Sequence, residues 1–536
     1  MATAPTTPFT TLEEIPRIRD ELLATFKSGK TLKVQYRKAQ LIHLAYLFKE
    51  NEHLFVDALR KDLGRHELET SGLSIRSITE ECVHAWENVE EWAKPSSGSM
   101  FDYKTWAAHP TTYKHPKGIG LIIGPFSYPL LCSMAPLVGA IAAGCPCVIK
   151  MSDLTPATSG LLAELWPQYM DTEFTRIVNG GIPETTALLD LQWDHIVFTG
   201  SSAIAKIVAN AAARHLTPTT LEVGGPCPVF VDTNVNLRLA ARRILWGKIV
   251  NAGQSCTAPN HVFVRADQQD KLVNAFQIAF AEFYPKDADA TNFTSRIVSD
   301  SHFTRLKDLM DSVEDGDIVC GGVMEKEIRF FAPTIVKNVK LDHRLVNGEI
   351  FGPILPIVPV KDYQEALDHT SAFENPLALY MFTKDAALQD QSEFLMARGI
   401  PPDPITLIKP HISVINHTKS STLVINECIL AMPVMGRPSG GASASGTRAH
   451  TGKFLFDIFT NERRSIYSPS LADEILGWRY PPYTPSKIMA VTSQARSIPV
   501  PRSAANDVVS RPGWLGWTTS LGIVAIASMW IGRRFS

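Results

Sequence analysis

The sequence predicts an α/β fold: a parallel sheet covered by helices on both faces, preceded by a helical layer. The chain has 536 residues, too many for one ordinary core, so two or more domains are expected. The first observation is a change of texture at Gly118. Short apolar runs, Gly120-Leu121-Ile122-Ile123, Cys147-Val148-Ile149-Lys150 and His195-Ile196-Val197-Phe198-Thr199-Gly200, each end in a turn and give way to helical stretches over 134–143 and 203–215. Strands alternating with helices imply crossover units and a parallel sheet. The second observation lies upstream, over 12–94. Apolar residues there fall at helical spacing, as in Leu41-Ile42-His43-Leu44-Ala45-Tyr46-Leu47-Phe48. Between the two, 103–114 alternates weakly and reads as an extended arm. No internal repeat is evident.

Composition narrows the function. A net charge of −2 with 20% charged residues calls for no nucleic-acid partner, and 45% hydrophobic residues is ordinary for a globular protein. Eight cysteines without a Cys-x-x-Cys pair argue against zinc ligation and against a disulfide framework. Cys145 and Cys147 read as core residues. Met1 to Thr11 lacks the charged and apolar regions of a secretory signal.

The C-terminus differs. Between Arg511 and Arg533 lie 21 uncharged residues, about the length that spans a bilayer as a helix. Trp514, Trp517 and Trp530 fall near its ends, where aromatic side chains suit the headgroup region. The alternative is a terminal helix docked on the globular core. A polar stretch with prolines and serines from Thr492 to Arg511 separates the segment from the rest, which favours a tail anchor over 513–532 with the bulk of the chain facing the cytosol.

The residues that carry chemistry are Cys256, in Gly253-Gln254-Ser255-Cys256, and Glu222, in Leu221-Glu222-Val223-Gly224-Gly225, 34 positions apart. A thiol that attacks a carbonyl and a carboxylate that activates water are the groups needed to oxidise an aldehyde to an acid. A lone cysteine is more often an inert core residue, and a lone glutamate a solvated one. Phe198-Thr199-Gly200-Ser201-Ser202 ends a strand and opens a helix, so Gly200 lets the backbone approach a pyrophosphate at a helix N-terminus. By itself it also fits a plain strand-to-helix turn, and Ala205 breaks the full glycine pattern.

Together, the segments 118–156, 198–232, 251–259, 349–356 and 376–382 resemble the aldehyde dehydrogenase superfamily in order and spacing, over nearly the whole chain to about Lys487. Arg479-Tyr480-Pro481-Pro482-Tyr483 and Ala211-Ala212-Ala213-Arg214-His215-Leu216-Thr217-Pro218 look like its class 3 branch, which includes membrane-anchored fatty aldehyde dehydrogenases. The resemblance implies a Rossmann-like cofactor domain with an α/β catalytic domain. It makes Cys256 the nucleophile and Glu222 the activator of the hydrolytic water. It places Lys150 and Glu349 on ribose hydroxyls and Phe351 beside the nicotinamide ribose, with Gly200 and Ser201 at the pyrophosphate. A homodimer is implied by the class 3 likeness alone.

Departures from the family pattern carry their own expectations. Ser127, in Gly124-Pro125-Phe126-Ser127-Tyr128-Pro129, stands where the family has the asparagine that completes the oxyanion hole with the nucleophile's N–H. A serine hydroxyl donates one hydrogen bond over a shorter reach, and one lost donor costs about 10²–10³ in rate. The usual Lys-Pro-Ser-Glu is Lys150-Met151-Ser152-Asp153. A carboxylate beside the adenosine ribose favours NAD, and the shorter Asp153 leaves NADP open. Ala205 adds a methyl that would crowd the helix against the sheet or the pyrophosphate. The glycine-rich late loop becomes Pro438-Ser439-Gly440-Gly441-Ala442-Ser443-Ala444-Ser445-Gly446, and loss of the aromatic at Ser439 would widen the substrate tunnel. Residues 399–417, with four prolines, read as an insertion or an error in the gene model.

The expected organisation is 1–221 for N-terminal helices and cofactor domain and 222–433 for the catalytic domain. A C-terminal extension with dimerisation segment follows over 434–490, then a linker over 491–512 and the membrane tail. The expected substrate is a long apolar aldehyde delivered from the bilayer, a fatty aldehyde first and an apocarotenoid or other polyisoprenoid aldehyde second. A membrane-tethered scaffold without catalysis and a thioesterase using Cys256 and Glu222 are the other readings. Endoplasmic reticulum, peroxisome and mitochondrial outer membrane are all open as the destination of the tail.

Overall fold

The computed structural model describes residues 8–97, 110–285, 290–314, 317–372, 376–383, 418, 420–431, 440–441, 445–447, 451–468, 470 and 477–493. The expected insertion over 399–417, the tail over 513–532, and Ser439 and Ser443 lie outside the described residues. No helix among the described residues is long and apolar enough to cross a membrane. The chain divides into two compact units, Met1–Ser96 with Thr112–Arg464 and Ser97–Thr111 with Ser465–Ser536.

The larger unit holds two sheets. The first is all parallel, in the order Thr175–Val178, Cys147–Lys150, Gly120–Ile123, His195–Gly200, Thr219–Val223. Gly120–Ile123 and Cys147–Lys150 are buried along their whole length, which is why they read as continuous apolar runs rather than alternating ones. The strand that comes first in the chain is central, and the chain then builds outward in both directions. The strand order therefore reverses between Gly120–Ile123 and His195–Gly200, and in such sheets ligands bind in the crevice outside the carboxyl ends at that point. Those ends lead into Gly124 and Ser127 on one side and Gly200 and Ser201 on the other.

Helices cover this sheet. Leu131–Ala143 is buried along nearly its whole length and packs with Val34–Glu50 and Arg76–Trp92. Leu44, Phe48, Phe55 and Val89 of the N-terminal helices join Ile122 and Ile149 of the strands in one core. Each such side chain contributes about 1.5–3 kcal/mol by leaving water. On the opposite face Ala205 packs with Phe198, Val208 and Val223. Its methyl, expected to crowd the helix, fills that core instead. Between two N-terminal helices, Ser71–Ile75 is a turn of π-helix.

The second sheet has seven strands, in the order Ile318–Cys320, Thr334–Val336, Ile354–Val360, Pro259–Arg265, Cys227–Val231, Ala378–Phe382, Thr422–Ile425. Only the edge strand Ile318–Cys320 runs antiparallel. Leu237–Ile249 and Gln269–Phe283 supply apolar side chains to the core on one face. Phe303, Leu306 and Leu345 fill the core on the other. The extended arm expected over 103–114 begins outside the described residues, and Thr111–Pro116 is a strand.

In the smaller unit, among the described residues, the turn Gly477–Arg479 precedes a helix Pro485–Ser493. Lys487 Nζ donates to the Tyr480 carbonyl at 2.7 Å, and the Arg479 guanidinium lies 4.8 Å from the Tyr480 ring.

Candidate active site

A cavity of about 510 Å³ gathers Ser127, Gly200, Ser201, Glu222, Cys256, Glu349 and Phe351. Seven of the nine residues singled out from sequence thus share one space. The other two sit apart. Asp153, exposed, lines a second cavity of about 450 Å³ with Ser152, Ser159 and Gly180. Lys150 ends its strand buried, lines neither cavity, and donates from Nζ to the Met151 carbonyl at 2.6 Å. Burial lowers its pKa, with Asp153 and Glu184 opposing.

Cys256 is positioned by an unusual turn. The helix Leu237–Ile249 stops, and Asn251 (φ 51°), Ala252 (φ 53°) and Gly253 (φ 68°) all adopt left-handed backbone. Such conformations cost about 1–3 kcal/mol each for non-glycine residues and persist only where the surroundings fix them. Here they are fixed. A Cβ on Gly253 would lie 2.3 Å from the Gly352 carbonyl oxygen, so only glycine fits. The Asn251 side chain and N–H are held from several directions: its amide Nδ2 donates to the Ser127 carbonyl at 2.9 Å and the Gln254 carbonyl at 2.8 Å, its Oδ1 accepts from Arg65 Nε at 3.2 Å, and its N–H donates to Glu69 Oε2 at 2.9 Å. Beyond the turn, the Cys256 carbonyl accepts from Cys227 Sγ at 3.2 Å and the Thr257 carbonyl from Tyr380 Oη at 2.6 Å.

The thiol is half-buried. Burial first, then the neighbouring Cys132, Glu349, Cys227 and Glu222, hold its pKa well above the ordinary thiol range.

Glu222 sits near the end of the strand Thr219–Val223, buried as its apolar neighbours require. Its Oε2 accepts from the Gly441 N–H at 3.1 Å. The same stretch grips the strand on either side: Leu221 N–H donates to Thr447 Oγ1 and Thr447 N–H to the Leu221 carbonyl, both at 3.0 Å. The late loop therefore orients the carboxylate. Ser127 is buried, and its carbonyl accepts from both Arg65 Nη2 and Asn251 Nδ2.

Glu349 Oε1 is buried without a hydrogen-bond partner among the described residues, an acceptor waiting for a hydroxyl. Burial pushes its pKa up to about 7, against the Gly225 N–H, Arg305 and Lys248. Phe351, with φ 47°, stands edge-on to Phe126 with ring centroids 5.8 Å apart. This orphaned acceptor, the glycine turn at Gly200 and the second cavity beside Asp153 fit a dinucleotide. No group of three or more metal-ligating side chains that could hold an ion occurs among the described residues.

Sequence reasoning missed Arg65, Glu69, Asn251 and Cys132. Cys132 lines the same cavity as Cys256, and burial raises its pKa to about 12. Asn251 lies five residues before Cys256 and was within reach of the motif. Arg65 and Glu69 carry no sequence signal.

The sequence model of the aldehyde dehydrogenase family matches residues 3–393. Among curated relatives, aldehyde dehydrogenase family 3 member A2 of Mus musculus is 37% identical over 469 residues, covering 87% of this chain and 91% of its own. Beta-apo-4'-carotenal oxygenase of Neurospora crassa is 36% identical over 487 residues, covering 89% and 86%. Among solved structures, the substrate-bound state of Staphylococcus aureus AldH superposes with a TM-score of 0.81 at 32% identity, over 89% of this chain and 99% of that one. Likeness of this extent, over a fold that brings a thiol and a carboxylate to the mouth of a parallel sheet, means that the chain belongs to the aldehyde dehydrogenase family and is an NAD(P)-dependent aldehyde dehydrogenase.

Proposed function

We propose that this enzyme oxidises a long apolar aldehyde, a fatty aldehyde foremost, to its acid through a thioester on Cys256. The observation that carries the reading is the single cavity holding Cys256, Glu222, Ser127 and Glu349 between apolar walls that include Leu73, Leu131, Leu377 and Ile429. The relative named for a carotenal favours an apocarotenoid aldehyde as the second substrate class.

The cofactor would be held by Glu349 on a ribose hydroxyl, by Gly200 and Ser201 at the pyrophosphate, and by Lys150 and Asp153 toward the adenosine. Phe351 would stand beside the nicotinamide ribose. When bound, it supplies the acceptor for the hydride. The chain's residues do the rest. The Cys256 thiol loses its proton through water toward Glu222, and its sulfur attacks the carbonyl carbon. The Ser127 hydroxyl and the Cys256 N–H hold the oxyanion that forms. Once hydride has left the carbon, the product on sulfur is a thioester. Glu222, having passed that proton on to solvent, draws another from water, the hydroxide equivalent adds to the thioester carbon, the C–S bond breaks, and the sulfur takes the proton back from Glu222 as the acid departs.

The apolar segment 513–532 anchors the enzyme as a membrane tail with the catalytic unit toward the cytosol, and a bilayer then acts as both support and substrate reservoir. The segment over 434–490 serves a homodimer. The test is NADH formation by detergent-solubilised full-length protein supplied with NAD or NADP and aldehydes of increasing length. Turnover is expected on long aldehydes and is abolished by Cys256→Ser. Full turnover in that variant would remove Cys256 from the chemistry, and acid release without nicotinamide would favour the thioesterase reading.

A further inference from the structure

We infer that Arg65 and Glu69, which lie in the N-terminal helical layer and outside the cavity lining, are positioning residues that set the oxyanion geometry by holding Asn251. The inference rests on the roles proposed for Cys256 and Ser127.

Two separate stretches must meet to stabilise one oxygen, the loop carrying Ser127 and the turn carrying Cys256. The Asn251 side chain joins them. Asn251 Nδ2 donates both to the Ser127 carbonyl and to the Gln254 carbonyl, two residues before the nucleophile. That amide cannot choose its own orientation, because its other atom, Oδ1, and its backbone N–H are taken from outside the turn. Arg65 Nε donates to Oδ1, and Arg65 Nη2 reaches the same Ser127 carbonyl that Asn251 reaches. Glu69 Oε2 accepts the Asn251 N–H, on the first residue of the left-handed stretch.

Arg65 is itself fully buried, with its guanidinium 4.7 Å from the Tyr128 ring. A guanidinium is planar and fixed in fork geometry, so two bonds to one locus fix direction as well as distance. Gln254 completes the arrangement from the other side. Its Nε2 donates to the Asn251 and Arg296 carbonyls at 3.1 and 2.9 Å, and its Oε1 accepts the Val298 N–H at 2.9 Å. The left-handed turn, at Asn251 and Ala252, persists only where its surroundings fix it. Arg65 and Glu69 are the restraints applied where the turn begins.

The experiment compares Arg65→Met, Arg65→Lys and the near-isosteric Glu69→Gln with the parent full-length enzyme. Three readouts are taken: the NADH burst rate, NAD binding by fluorescence, and amide hydrogen exchange of residues 249–257. The burst rate is expected to fall about 10²-fold in Arg65→Met, the scale of one lost oxyanion donor, and less in Arg65→Lys and Glu69→Gln. NAD affinity should hold within a factor of about three, and 249–257 should lose protection. The loss in Arg65→Met should shrink when combined with Ser127→Ala, since both act on the same oxygen. An unchanged burst per folded enzyme, or unchanged exchange over 249–257, overturns the inference. So does strict additivity with Ser127→Ala. Hydrogen exchange needs no turnover. A parent that oxidises no aldehyde would refute the proposed chemistry, while the exchange comparison would still decide whether Arg65 and Glu69 hold the turn.

Discussion

Gly224→Ala probes the Glu349 carboxylate, proposed to hold the cofactor, without replacing it. Gly224 lies outside the left-handed region, so alanine is acceptable to the backbone. Its new Cβ, however, would stand 2.3 Å from Glu349 Oε1 and 2.9 Å from both Cδ and Oε2. Ordinary contact between heavy atoms begins near about 3.5 Å, so the carboxylate must retreat by roughly 1 Å. It is the far end of a flexible side chain, and the retreat costs little stability. What is lost is a hydrogen bond from a ribose hydroxyl to a charged acceptor, worth about 1.5–3 kcal/mol. At about 1.4 kcal/mol per decade, KM for NAD should rise about 10- to 100-fold. The change in kcat should be several-fold at most, and Tm should move by less than about 2 °C. Steady-state NADH formation over a range of NAD concentrations measures this, with Glu349→Gln alongside. A KM within twofold of the parent in a folded Gly224→Ala enzyme would refute the assignment of Glu349 to the cofactor.

Three further outcomes are expected. Ser127→Asn should raise kcat by about tenfold or more, because the amide reaches further into the cavity than a hydroxyl; an unchanged or lower burst rate would show that Ser127 already serves in full. The Glu349 carboxyl has a pKa raised to about 7 by burial. It is protonated and a poor acceptor below that pH, so KM for NAD should fall as pH rises from 6 to 8. Lys248, whose pKa burial lowers to about 7, loses its charge over the same range and broadens the transition, while Arg305 stays charged. A flat KM profile in the parent, or the same slope in Glu349→Gln, would contradict this. Deleting 513–536 should move the enzyme from the membrane pellet to the supernatant with burst kinetics on a short aldehyde unchanged; continued flotation with vesicles would place the anchor elsewhere.

The parts of the fold that were legible share a cause. Gly120–Ile123 and Cys147–Lys150 are buried throughout, so burial wrote itself as uninterrupted apolar runs. Cys256 was legible from the four residues ending in it, and Glu222 from the two glycines that follow Val223. What escaped is long in range or against local preference. Arg65 and Glu69 meet Asn251 across 186 and 182 positions, and nothing near either marks them. Asn251 and Ala252 continue a helical pattern, and alanine has the highest helix propensity. Their left-handed turn is imposed by the backbone at Gly352 and by the side chains around Asn251. Lys150 shows the converse. Its place at the end of a strand was readable, but the carbonyl its ammonium takes is a matter of packing that no pattern encodes.

The grip of Gly441 on Glu222 bears on how the enzyme comes into being. The two residues are 219 positions apart. A ribosome adds about 5–20 residues per second, so roughly 10–45 s pass between making Glu222 and making the amide that its carboxylate accepts. Through that interval the nascent chain lacks the Gly441 N–H that Glu222 Oε2 accepts. Competence is thus a property of the finished polypeptide. A product terminated before residue 441 would lack the amide that orients the Glu222 carboxylate.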